Sequence, residues 1–361
     1  MKINRYLDFK TIKMFGFSNQ IVQEDLERIY LSNISWDIFN GKTVLVTGAN
    51  AMLGTYTAYF FLFLAKEKNI SVKTVVLTRT LSKTEILYKD FLGEHYFDII
   101  NQDIVMPIHY GGSIDYIFHF AGNASPKFIN TDPVGILKSN LIGTMNVLEL
   151  AKEKQSSRLL FASTREVYGA VSATTLTETS FGYLDPMENR SCYPESKRAA
   201  ESLLRSYFIQ FGVNSVSVRI AHSYGPGMKI DNDGRVMADF ISNAVHRQDI
   251  VLKSTGDAVR AFCYVSDTVV GMILALLKGK AGEAYNLANE LEPYPIRDVA
   301  NLICNSFPER NINVVFAGEQ PNDGYCNYPR VALDIAKIKE LGFKPQVKLN
   351  EGVRRTVLSF D

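Results

Sequence analysis

Six short apolar runs recur along the first two thirds of the chain: Thr43 to Thr47, Thr74 to Leu77, Phe97 to Ile100, Tyr116 to Phe120, Leu159 to Ala162 and Ser215 to Ile220. All are of strand length, and all are continuous rather than alternating, as expected of strands covered on both faces of a parallel sheet. Helical stretches separate them. One opens with Asp132 as its cap and Pro133 at the first helical position, and its spacing predicts Ile136, Leu137, Leu141, Met145 and Leu148 on the buried side. Strand and helix in alternation specify an α/β fold, a Rossmann-type doubly wound parallel sheet.

The two ends read differently. Ile21, Val22, Leu26, Ile29 and Tyr30 recur at helical spacing, which makes residues 1–40 an amphipathic helical extension packed on the main body. Past Gly225, the turn formers Pro226, Gly227, Asp231, Asn232, Asp233 and Gly234 introduce shorter elements. Residues 41–225 are therefore expected to form the sheet domain, with later segments returning to it, and residues 226–361 to be mainly a smaller lobe closing over the sheet edge.

Composition narrows the function. With 39 Lys plus Arg against 38 Asp plus Glu, the net charge is +1, and the absence of a long single-sign run argues against a nucleic-acid or membrane-surface partner. The longest apolar stretch, Tyr56 to Ala65, is about half the roughly 20 residues that cross a bilayer, and the first 20 residues lack the apolar core of a signal peptide. Cys192, Cys263, Cys304 and Cys326 are far apart and show no zinc-ligand or redox spacing. A soluble protein of the reducing cytoplasm, without a metal site, fits these features.

Gly48, Ala49, Asn50, Ala51, Met52, Leu53 and Gly54 follow the first strand and open an apolar helix. Glycine turns there let backbone N–H groups and the positive end of a helix approach a pyrophosphate, so the loop is a candidate dinucleotide site, with Ala51 standing where a middle glycine is expected. Asp103, past the third strand, is placed to accept from an adenine amino group, and Ile104, Ala121 and Gly122 complete the candidate cofactor lining. At the end of the second strand, where an acid usually takes the ribose hydroxyls of NAD, the chain reads Thr78, Arg79, Thr80. Arg79 either faces a 2′-phosphate, which favours NADP, or stacks on adenine; NAD and NADP both stay open.

Tyr193 and Lys197 form Tyr-x-x-x-Lys, one helical turn apart, so an ammonium lies on the same face as a phenol. A nearby cation stabilises phenolate, which lets tyrosine remove a hydroxyl proton as hydride leaves for a nicotinamide. The spacing alone also fits a solvated helix face; the glycine loop is what favours catalysis. Thr164 and Glu166 follow the fifth strand, at the carboxyl end where parallel sheets bind ligands. Thr164 is a candidate partner of the reacting hydroxyl, and Glu166 a candidate base or orienting group, with an ion pair to Arg165 as its plain structural alternative. Asn140 is a candidate support for a water or for Lys197.

These segments, with Ala124-Ser125-Pro126, Arg190-Ser191-Cys192-Tyr193, Asn232-Asp233-Gly234-Arg235-Val236 and Arg260-Ala261-Phe262, resemble the extended short-chain dehydrogenase/reductase family of nucleotide-sugar epimerases, dehydratases and decarboxylases, over about residues 42–357. The branch most resembled is that of the UDP-glucuronate decarboxylases. The resemblance implies a tightly bound nicotinamide cofactor, a nucleotide-sugar substrate oxidised at carbon 4, a homodimer formed through about Asp132 to Lys154 and Tyr193 to Phe211, and decarboxylation of a nucleotide hexuronate. A 4-epimerase or an atypical 4,6-dehydratase is the alternative, and a non-catalytic dinucleotide sensor a remote one. It also implies Ser125, Arg235, Arg260 and Arg330 as substrate-binding residues. Two departures stand out: Arg165 replaces the serine of decarboxylases and the aspartate of dehydratases, and His222 replaces an asparagine. Arg165 is able either to hold a substrate carboxylate or to point away; His222 either donates to phosphate or cofactor or is a satisfied structural histidine.

Overall fold

The computed structural model describes residues 15–318 and 332–361. Seven parallel strands form the central sheet: β1 (Lys42–Thr47), β2 (Val72–Thr78), β3 (Phe97–Asn101), β4 (Tyr116–His119), β5 (Arg158–Thr164), β6 (Ser215–Ile220) and β7 (Glu283–Leu287). Their spatial order is β7-β6-β5-β4-β1-β2-β3. Successive side chains enter opposite cores: Val44 and Val46 one, Leu45 the other; Leu160 one, Leu159 and Phe161 the other. Both faces are thus buried, which is why the runs are continuously apolar. The fourth run ends one residue short of expectation, at His119.

Helix α1 (Gln20–Tyr30) lies within the segment expected to be a helical extension, its Asn19 cap accepting from the Ile21 and Val22 nitrogens. It packs on α2 (Met52–Glu67), whose long apolar run is buried on nearly all sides. Short helices α3 (Leu81–Leu87) and α4 (Pro126–Thr131) lead on to α5 (Pro133–Glu153) and α6 (Cys192–Phe211), which pack together on the other face of the sheet. Asp132 does cap α5, accepting from the Gly135 nitrogen. Its expected buried stripe needs correction. Ile136 and Leu148 are buried, whereas Leu137 and Leu141 are half-buried and Met145 is 42% exposed, because the inward stripe runs through Asn140, Gly143 and Thr144.

After Gly225, α7 (Val236–Val245) belongs to the outer elements, with the pairs Ile250–Leu252 to Val314–Phe316 and Val259–Ala261 to Pro293–Pro295. Helix α8 (Val265–Lys278) packs against β5 and β6, and β7 lies beyond β6, so residues 265–287 are part of the sheet layer. This seventh strand, Glu-Ala-Tyr-Asn-Leu, was not among the expected runs because two of its five residues are polar. Helices α9 (Ile296–Ser306), α10 (Ala336–Glu340) and α11 (Leu349–Leu358) complete the chain. Among the described residues, no helix is long and apolar enough to cross a membrane.

Candidate active site

The order of the sheet reverses between β1 and β4, and at this switch point the loops after both strands border a crevice of the kind in which such sheets hold ligands. Gly48 turns there with φ +67°, and a Cβ on it would come 2.8 Å from the Ala121 nitrogen, so both backbone and space demand glycine. At Gly54 a Cβ would meet the Gly48 carbonyl oxygen at 2.5 Å. Ala51 differs: its backbone is extended (φ −114°, ψ 156°), which alanine adopts without strain. As N-cap of α2 it offers no side-chain oxygen, so the first N–H groups of this helix lack a side-chain cap. That end fits a pyrophosphate.

Around the end of β2, Thr78 is turned inward, its hydroxyl 2.6 Å from that of Thr84. Asn50 Nδ2 donates to the Thr80 carbonyl and to Thr84 Oγ1, and Lys83 Nζ donates to the Asn50 carbonyl at 2.8 Å. Arg79 is exposed, 3.7 Å from the Asp103 carboxylate, which also accepts from the Val105 nitrogen. Ile104 is buried and would touch any Cβ placed on Gly143.

Tyr193 and Lys197 lie in the first turns of α6, so Pro194 removes no intrahelical bond. Both are buried. Burial pushes the Tyr193 phenol well above its usual range, the Glu166 charge adds to this, and a hydrogen bond with Thr164 opposes it. Burial likewise pushes Lys197 down to about 7, with Glu201 opposing. Lys197 Nζ donates to the Ala162 carbonyl at 2.8 Å and sits 4.4 Å from the Phe161 ring centre. Asn140 Nδ2 donates to Ser196 Oγ at 2.9 Å, while its buried Oδ1 has no partner. A Cβ on Gly122 would stand 2.5 Å from that Oδ1 and 3.6 Å from Lys197 Nζ, so the two groups converge where glycine alone fits. An orphaned acceptor beside an ammonium is suited to a water or a ligand hydroxyl.

Beneath this floor lies a chain that the sequence reading missed. Ala121 N–H donates to Thr47 Oγ1 (3.1 Å), and Thr47 Oγ1 lies 2.7 Å from His119 Nδ1; His119 Nε2 lies 3.1 Å from Thr144 Oγ1, which donates to the Asn140 carbonyl at 2.5 Å. Because Thr144 spends its proton on Asn140, His119 carries its hydrogen on Nε2 and accepts from Thr47 on Nδ1. Burial, with a contribution from Lys197, pushes His119 down to about 3, so the ring is neutral. A histidine ending a buried strand at the switch point was the available signal.

Glu166 is held by both oxygens on Arg190 Nη2, at 2.8 and 2.9 Å, and not by Arg165. Burial raises its carboxyl above the ordinary value, the Arg190 and Arg165 charges opposing. Among the described residues, Arg190 Nη1 is buried without a partner. Ser125 Oγ donates to the Asp233 carbonyl at 3.1 Å, and Asp233 pairs with Arg235, so these residues clasp the insertion after β6 to the loop after β4. A small cleft brings together Arg165, His222, Arg260 and Glu290. His222 has φ +49°, and Nδ1 lies 3.0 Å from the Ala261 carbonyl, so it donates there and turns Nε2, an acceptor, outward. A neutral ring in this tautomer has no N–H left for a phosphate. Arg330 lies outside the described residues.

A glycine turn after the first strand, followed later by a Tyr-x-x-x-Lys helix whose tyrosine and lysine are both buried, is the arrangement of the short-chain dehydrogenases/reductases. Comparison with known proteins narrows the class: residues 44–288 match the NAD dependent epimerase/dehydratase family, and the chain belongs to it. It is 34% identical over 311 residues to UDP-glucuronic acid decarboxylase 6 of Arabidopsis thaliana, covering 86% of each chain. It is also 34% identical over 320 residues to UDP-glucuronic acid decarboxylase 1 of Xenopus tropicalis, covering 88% of this chain and 72% of that one. Among solved structures, the fold is similar to the dTDP-glucose 4,6-dehydratase DesIV of Streptomyces venezuelae with NAD bound (TM-score 0.73, 24% identity, 88% of this chain and 96% of that one). It is also similar to the UDP-glucuronic acid 4-epimerase of Bacillus cereus in complex with UDP-glucuronic acid and NAD (TM-score 0.72, 21% identity, 88% and 98%).

Proposed function

We propose that the chain is a nucleotide-hexuronate decarboxylase that oxidises the sugar at carbon 4, with UDP-glucuronate as the first substrate to test. The observation that carries this reading is the 34% identity to a UDP-glucuronic acid decarboxylase over 86% of both chains. A bound nicotinamide supplies the hydride acceptor and donor. Tyr193 takes the proton of the 4-hydroxyl, positioned by Thr164, and Lys197 stabilises the phenolate. The resulting ketone is β to the carboxylate, so the bond between carbons 5 and 6 breaks, carbon dioxide leaves, and the electron pair rests on the carbon-4 oxygen as an enolate. A proton from solvent takes the place of the carboxylate on carbon 5, and once the carbon-4 ketone has been reduced again, Tyr193 gives its proton back to the oxygen, which yields a pentose. Glu166, fixed by Arg190, stands next to Thr164 and Tyr193 and orients substrate or water. A 4-epimerase acting on the same hexuronate is the second reading, favoured by Arg165, since a cation on the carboxylate opposes its loss. The dehydratase alternative is disfavoured because residue 165 is not an acid.

Mass spectrometry after incubation with UDP-glucuronate and either NAD or NADP tests this. Loss of carbon dioxide from the sugar supports the decarboxylase; an epimerised product of unchanged mass supports the second reading; an unaltered substrate overturns both. For the cofactor, the exposed Arg79 after β2 and Lys83 beside Asn50, with the Thr78 hydroxyl turned inward, support a 2′-phosphate. NADP is expected to bind at least as tightly as NAD, and Arg79→Ala to weaken NADP by about tenfold while sparing NAD, an ordinary loss for one charge-assisted contact. We further propose that two copies associate through α5 and α6.

A further inference from the structure

Residue 165 directly follows Thr164, whose hydroxyl opposes the upward push of burial on the Tyr193 phenol, so its side chain starts one residue from a group of the candidate carbon-4 site. Arg165 lines the small cleft with Ala221, His222, Arg260 and Glu290. The neighbouring acid feels the Arg165 charge but is bonded elsewhere, both Glu166 oxygens being engaged by Arg190. Glu290 accepts from the Leu333 nitrogen at 3.0 Å, and Arg260 donates to the Val259 carbonyl at 2.8 Å. Among the described residues, Arg165 makes no hydrogen bond or ion pair, although it is half-buried. An unpaired guanidinium in a cleft is costly, and its planar fork matches a carboxylate in two parallel bonds.

The second departure from the family pattern meets the first here. His222 turns an acceptor outward, and burial, together with the nearby Arg165 and Arg260 charges, pushes it down to about 3. It therefore suits a sugar hydroxyl as donor and leaves recognition of an anion to the guanidinium groups.

We propose that Arg165 grips a carboxylate borne by the substrate's sugar and selects nucleotide hexuronates over neutral nucleotide hexoses. The inference rests on the reading of the chain as a nucleotide-sugar enzyme. A cation on the carboxylate stabilises the bound substrate, while in decarboxylation the charge moves away toward the carbon-4 oxygen. Arg165 thus acts in binding, and its loss raises KM without lowering kcat.

The test uses the cofactor-loaded protein with Tyr193→Phe, which stops turnover, and measures Kd for UDP-glucuronate and UDP-glucose by calorimetry. With Arg165 present, UDP-glucuronate is expected to bind about 10- to 100-fold more tightly than UDP-glucose, the range for a charge-assisted pair. Arg165→Ser should abolish that preference while UDP-glucose affinity holds, which also shows that the variant is folded, and Arg165→Lys should restore part of it. Equal preference with and without Arg165, or no preference in its presence, overturns the proposal. Failure of the decarboxylase reading looks different: the active enzyme would release no carbon dioxide from UDP-glucuronate although the binding preference persists.

Discussion

Tyr193 and Lys197 are both buried, and burial opposes the charged form of each: phenolate is disfavoured and so is ammonium. The pair is therefore held in reserve as neutral or half-neutral groups, a state that costs stability to maintain. The sign follows from proton counts. Lys197 in the folded chain titrates near 7, well below a free lysine, so between about pH 7 and 10 the unfolded chain carries a proton that the folded chain has released. Its penalty is full below pH 7 and fades as pH rises. Measured by urea unfolding without bound cofactor, the stability of the wild type relative to Lys197→Met should rise by about 2 kcal/mol from pH 7 to 9; a flat difference would refute this. The Tyr-x-x-x-Lys spacing and the glycine loop were legible because they are local patterns. His119, Arg190 and the partnering of Glu166 were not, because they depend on which strand ends adjoin in space.

Helix α1 shows what spacing reveals and what it hides. Val22, Leu26 and Ile29 announced an inward face, but Asp25, buried on that same face, reads as polar and was passed over. Asp25 accepts from Tyr56 and Tyr264 at 2.9 and 2.8 Å and from Arg355 Nη2 at 2.8 Å, so one carboxylate ties the extension to α2, to the start of α8 and to α11. Burial raises its carboxyl above the ordinary value, and Arg355 and the two phenols offset that penalty only in part. Asp25→Ala leaves those donors facing a gap. The expected cost is about 3 kcal/mol of unfolding free energy, at the low end for a broken buried pair because Arg355 keeps Glu24. The active-site residues lie on other elements, so kcat/KM of the folded fraction should change less than about twofold. A stability loss under about 1 kcal/mol in denaturant titration would mean that α1 is held by its apolar face alone.

The whole molecule is asymmetric about its sheet. On one side the layer of α2 and α8 is sealed by the chain's own extension. On the other, α5 and α6 pack on each other but leave Val134, Ile142 and Met145 of the first, and Phe211 of the second, 37% to 58% exposed. Met145 was expected inside from helical spacing; a second apolar stripe on α5 misplaces it, since periodicity cannot tell a face turned to the core from one turned to a partner. A stripe shared by two adjacent helices is self-complementary under a twofold axis, the commonest symmetry of small oligomers. Light scattering should therefore give twice the 40.5 kDa chain mass. Changing Ile142 and Met145 together to aspartate places two charges on each copy of that stripe, where pairing would have to desolvate them, and the protein should become monomeric. Tyr193, Ser196 and Lys197 are buried on the inward side of α6, so the monomer should still take up cofactor. A wild type that elutes as a monomer, or a double variant that stays dimeric, would place the association elsewhere or remove it.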